Sequence, residues 1–118
     1  MDERLEKALE FGNYMVTLNN QKRLLKQTYE QELLYFYKGS TFTVTKELIT
    51  FVSTLKAQEQ DTISLVDDNT VPVEVTDVEG FYQEILDTYF SATNKYLTEY
   101  NKIKTNRSVE SMVEFVNE

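Results

Sequence analysis

Leu5, Ala8, Phe11, Met15, Leu18, Lys22, Leu25, Tyr29, Leu33 and Phe36 recur at steps of three or four residues. That spacing puts them on one stripe and predicts a single long helix over residues 2–37. Lys22 is its only charged member. Gly12 and the pair Asn19-Asn20 are weak helix formers at which the helix can kink, and Gly39-Ser40 ends it in the usual manner of a helix C-terminus. Thr41-Phe42-Thr43-Val44-Thr45 then alternates polar and apolar residues, which predicts a half-buried strand. Residues 46–57 suit either a short amphipathic helix, with Leu48, Val52 and Leu55 on one face and Thr45 as N-cap, or a β-branched strand. No turn residues separate them from the strand before, which favours the helix.

Ile63–Val66 and Val71–Val75 read as a hairpin around Asp67-Asp68-Asn69-Thr70, with Pro72 confining the second strand to a sheet edge. Thr76-Asp77-Val78-Glu79 has the spelling of a capping box. It opens a second long helix over residues 77–105, striped by Val78, Phe81, Ile85, Tyr89, Ala92, Tyr96, Tyr100 and Ile103. Val109, Met112, Val113 and Val116 suggest a short C-terminal helix over 108–116. The expected architecture is α+β in a single domain, residues 1–118. Two long helices pack as an antiparallel hairpin, a shallow coiled coil, with a three-stranded sheet at one end. A helix of some 35 residues is about 50 Å long, against a diameter of roughly 35 Å for a compact chain of this size. The first helix must therefore bend or overhang, and an overhang leaves aromatic surface for another subunit to cover.

Composition narrows the chemistry. The 118 residues include no cysteine, histidine or tryptophan. Disulfides, thiolate nucleophiles, zinc ribbons and a serine–histidine triad are thereby excluded. The three glycines never cluster, so there is no phosphate-cradling loop. No stretch approaches a membrane span, and Met1-Asp2-Glu3-Arg4 lacks the basic start and apolar run of a secretory signal, so a cytoplasmic protein without membrane contact is expected.

The net charge of −8 is unevenly spread. Residues 57–94 hold nine carboxylates and no base. Basic side chains gather at Lys22, Arg23 and Lys26, and again at Lys95, Lys102, Lys104 and Arg107. Cations interleaved with aromatics suit single-stranded nucleic acid, although on a helix they also serve simply as a solvated face. The acidic stretch can imitate a phosphate backbone and block a basic groove, or merely solubilise. Asp67, Asp68 and Glu74 are expected to tolerate exchange for their amides alike, with the fold intact. Asp67-Asp68-Asn69 lacks the spacing of a calcium loop and reads first as an ordinary turn. Tyr35-Phe36-Tyr37 is denser than one helical face can bury, which marks Tyr35 and Tyr37 as contact candidates.

The stretches Leu5-Glu6-Lys7-Ala8-Leu9-Glu10-Phe11 through Asn19-Asn20-Gln21-Lys22-Arg23, and Lys104-Thr105-Asn106-Arg107-Ser108-Val109-Glu110, resemble small proteins of contractile-tailed cyanobacterial phages. The resemblance is one of overall style, and no functional residue is carried over from it. It implies an accessory or assembly role in a phage-infected bacterium, with virion association as a further option. The expected function is therefore a non-enzymatic oligomerising or partner-binding protein without cofactor or metal. The expected surface is Lys22, Arg23, Lys26, Tyr35, Tyr37, Asp67 and Asp68. The alternatives are nucleic-acid binding through the two basic clusters, or acidic mimicry.

Overall fold

A computed structural model describes residues 2–116, with side-chain surroundings as far as Thr105. Along the chain run α1 (Glu3–Glu32), β1 (Leu34–Tyr37), β2 (Ser40–Thr43), α2 (Lys46–Ala57), β3 (Ile63–Val66), β4 (Pro72–Val75) and α3 (Val78–Val116). Two compact units result, divided within α1 at Thr28 and Tyr29 and within α3 at Asn94 and Lys95. One is purely helical; the other holds all four strands and α2.

The class is α+β, as the patterning implies, but the expected three-stranded sheet and pair of long helices are replaced by three helices and two separate two-stranded sheets. The first difference arises at Glu32, where α1 stops five residues before the predicted end. Leu33 and Phe36 continue the helical spacing, yet Leu34–Tyr37 pairs antiparallel with Ser40–Thr43. Three aromatic residues in succession favour a pleated surface, where alternate side chains reach opposite faces. Lys38 and Gly39 both take positive φ, 48° and 81°, in a two-residue connection. That combination is a type I′ turn, whose twist matches the strands it joins. Gly39 is therefore a hairpin residue and not a helix stop.

The predicted strand at 41–45 thus pairs backwards with β1, and the β3–β4 hairpin stands apart from it. In that second hairpin Ile63 lies opposite Val75 and Leu65 opposite Val73. These four are buried, while Ser64, Val66, Pro72 and Glu74 face outward. Pro72 occupies an open edge, where its missing N–H costs no ladder bond. α2 begins as the sequence predicts: Thr45 is extended, and its hydroxyl accepts from the Leu48 N–H at 3.1 Å.

α3 starts one residue later than a capping box at Thr76 requires. Asp77 is the cap, its carboxylate accepting from the Gly80 N–H at 3.0 Å. A Cβ at Gly80 would press on that carboxylate, so a larger residue there would displace the Asp77 side chain from its capping position. Glu79 is released from the expected box and pairs with Lys56 at 3.4 Å. At the far end α3 is continuous through Asn106 to Val116, so no separate C-terminal helix begins at Ser108. Asn is only mildly unfavourable inside a helix and does not force a break. The apolar side chains expected at 109–116 lie outside the described residues.

In the strand-containing unit, Phe42, Val44, Val52, Ile63, Leu65, Val73, Val75, Val78, Phe81 and Ile85 form one buried cluster. Phe81 is its hub. Tyr35, Tyr37 and Phe42 each present a ring edge to it, at centroid distances of 5.5, 5.3 and 5.5 Å. Edge-to-face pairs of this kind add to the area term. Replacing Phe81 by alanine removes every such contact, and we expect a loss of about 3–5 kcal/mol in unfolding free energy, read by urea denaturation followed by tyrosine fluorescence.

Candidate functional site

The strand-containing unit uses most of the chemistry-bearing residues internally. In β1, alternation turns Tyr35 and Tyr37 toward Phe81 and leaves Phe36 outside, 69% exposed. Of the triplet from which a contact surface was expected, Phe36 is the exposed member. The Tyr35 hydroxyl donates to a Glu84 carboxylate oxygen one turn beyond Phe81. Burial pushes its pKa well above the usual tyrosine value, and the hydrogen bond and charge of Glu84 add to the shift.

Asp67 and Asp68 do different things. Asp67 is buried and closes its own loop: one carboxylate oxygen accepts from the N–H of Asn69 at 2.9 Å and of Val71 at 2.8 Å. Asp68 reaches the other hairpin. Its N–H donates to the Thr41 carbonyl at 2.9 Å. Its carboxylate accepts from the Thr43 N–H at 3.0 Å and from the Thr43 hydroxyl at 2.6 Å. Thr41 and Thr43 present the backbone groups that β1 does not use. Asp68 therefore fills the edge of β2 as a third strand would, with a carboxylate in place of a carbonyl. This is why the sheet does not extend to three strands.

The acidic stretch is correspondingly less free than its charge suggests. Besides Asp67 and Asp68, Asp77 caps α3, Glu79 meets Lys56, Glu84 holds Tyr35 and Asp87 accepts from the Gln83 amide at 3.1 Å. Among the described residues, no three acidic side chains come together that could hold a metal ion. No helix among them is long and apolar enough to cross a membrane.

The basic clusters lie in the helical unit. Lys22 sits in the inward stripe of α1, its ammonium 5.6 Å from the centre of the Tyr100 ring on α3. A cation over an aromatic face explains how a lysine joins an otherwise apolar stripe. Arg23 and Lys26 are exposed, as are Lys95 and Lys104. Lys102 pairs with Glu99 at 3.0 Å. The side chain of Arg107 lies outside the described residues. Lys22 and Tyr35 are thus turned to different neighbours, each within its own unit.

The feature the patterning missed is the opposite face of α1. Leu5, Leu9, Gly12 and Val16 step by four, three and four residues, and the three large side chains are 51%, 52% and 60% exposed. At 3.6 residues per turn this row lies roughly 130° around the helix from the stripe of Phe11, Met15, Leu18, Lys22 and Leu25. The signal was present as a second apolar periodicity, masked because Leu5 fits either row. Comparison with family models, with curated proteins and with solved structures finds no match.

Two expectations follow from this geometry. Asp68→Ala opens the Thr43 N–H to water and should cost about 0.5–1.5 kcal/mol in chemical denaturation, Asp68→Asn less, and Glu74→Gln no more than about 0.5 kcal/mol. The amides at these positions are not equivalent, because only Asp68 bridges the hairpins. For Tyr35 the folded pKa exceeds the unfolded one, so its contribution is complete below about pH 10 and is lost as pH climbs through the raised value. In an alkaline titration monitored at the phenolate band, Tyr35→Phe should remove the last phenol to ionise and soften the alkaline loss of stability.

Proposed function

We propose that this chain is a non-enzymatic oligomerising or partner-binding accessory protein of the kind that serves phage structure or assembly, in the cytoplasm of an infected bacterium or on the virion. The observation that carries the reading is the apolar surface of the helical unit. Leu5, Leu9, Val16 and Leu24 on α1 and Leu97 on α3 are all more than half exposed. Large apolar side chains exposed in a row along one helix face mark a contact for another protein.

The chemistry of the other unit supports the same view. Six of the nine carboxylates of residues 57–94 cap, bridge or bond to their own neighbours, which favours a structural use of them over acid–base work. Nucleic-acid binding through the basic clusters is the weaker reading, because Lys22 rests on Tyr100 and Lys102 on Glu99. Strand affinity that falls steeply with salt would favour that alternative.

Sedimentation equilibrium over the micromolar range, combined with affinity capture from infected-cell lysate, tests the proposal. The expected result is self-association or a stoichiometric partner, either one lost when Leu9 and Val16 are both changed to lysine. A strict monomer that retains no protein overturns it.

A further inference from the structure

The outward face of α1 carries a more specific inference, which rests on the partner-binding reading and names both partner and geometry. Gly12 sits in the middle of a 30-residue helix, where glycine is among the least favourable residues. Among the described residues, and leaving aside the helix's own adjacent backbone, nothing lies within 4 Å of where a Cβ would be. No close approach among them accounts for the glycine, whereas an approach from outside would. The glycine lies in the same row as Leu5, Leu9 and Val16, so a flat apolar strip surrounds the point of closest approach.

The charges on the helix decide what can lie there. Asp2 and Glu6 flank the strip near its start; Arg23 continues it two turns beyond Val16; all three are exposed. A parallel copy of α1 would set each of these against its own like charge. An antiparallel copy with its two-fold axis level with Tyr14 does the reverse. Val16 then comes opposite Gly12, and symmetry repeats this contact. Leu9 comes opposite Asn19, and Leu5 opposite the alkyl stem of Arg23, whose guanidinium lies between the levels of Asp2 and Glu6. Opposed helix dipoles favour the same orientation.

We propose that α1 of a second copy of this chain packs antiparallel on this face, each Val16 seated on the other copy's Gly12 and each Arg23 between the other's Asp2 and Glu6. The dimer joins helical units.

The chain has no cysteine, so single labels are simple to place. Asn13→Cys and Asn20→Cys lie on the same flank of the strip. In the antiparallel pair the two copies of position 13 are offset by about 3 Å along the axis and those of position 20 by about 18 Å. Dipolar spectroscopy on spin-labelled protein should therefore read a clearly longer distance at position 20. Equal distances mean a parallel pair and overturn the inference. Gly12→Leu is a better helix former than the glycine, so it keeps α1 folded while blocking the seat of Val16. It should weaken dimerisation at least tenfold by sedimentation, with helicity by circular dichroism unchanged or raised. Arg23→Glu should likewise weaken the homodimer, and mixing it with Asp2→Lys/Glu6→Lys protein should restore a mixed dimer. Oligomers insensitive to Gly12→Leu, or a wild-type monomer that binds only a foreign partner, overturn this inference while leaving the broader reading in place. A monomer that captures nothing overturns both.

Discussion

Among the described residues neither hairpin has a third strand, and two strands alone are marginal in water. Each has one apolar face, and both must find cover elsewhere. The first turns of α3 supply it through Val78, Phe81 and Ile85, all buried in the same cluster as the inward residues of β2, β3 and β4. The remaining liability is the free edge of β2. Asp68 removes it by supplying an N–H donor and a carboxylate acceptor where a neighbouring strand would supply backbone. Because the carboxylate is charged, the Thr43 bonds are stronger than neutral ladder bonds. One side chain in a turn thus adds a direct polar tie between two hairpins that share one core.

What could be read from the chain follows how local the deciding interaction is. Thr45 as a cap, the inward face of α2, the β3–β4 hairpin with Pro72 at an edge, and the stripe of α3 all depend on neighbours a few residues apart, and all are present. β1 was lost because Leu33 and Phe36 extend the spacing of α1 without a breaker. The tertiary packing of Tyr35 and Tyr37 on Phe81 overrode that continuation. Lys38-Gly39 between two aromatic-rich runs was the available sign of a hairpin. The role of Asp68 was invisible for a different reason. Its partners are 25 residues away, and nothing in a turn sequence distinguishes an aspartate that serves its own loop from one that serves another strand.

The candidate site divides in the same manner. Lys22 was noticed as the charged member of an apolar row, and its ammonium lies over the Tyr100 ring. Asp67 and Asp68 were noticed as clustered carboxylates, and each accepts hydrogen bonds from its own chain. The row of Leu5, Leu9, Gly12 and Val16 is local and periodic, and yet it was overlooked, because a helix with apolar residues on two faces gives no single clean stripe. Among the described residues this second row is left exposed at Leu5, Leu9 and Val16.

The dependence of the strand-containing unit on Asp68 is tested most directly by amide hydrogen exchange in the native protein. Thr43 lies on the outer edge of a two-stranded sheet, where an N–H open to water exchanges quickly. If Asp68 completes that edge, the Thr43 amide is protected to the same degree as that of Val44, which bonds to the Leu33 carbonyl at 2.8 Å. Exchange of the Thr43 amide at the rate of an open edge, with Val44 still protected, would contradict the account.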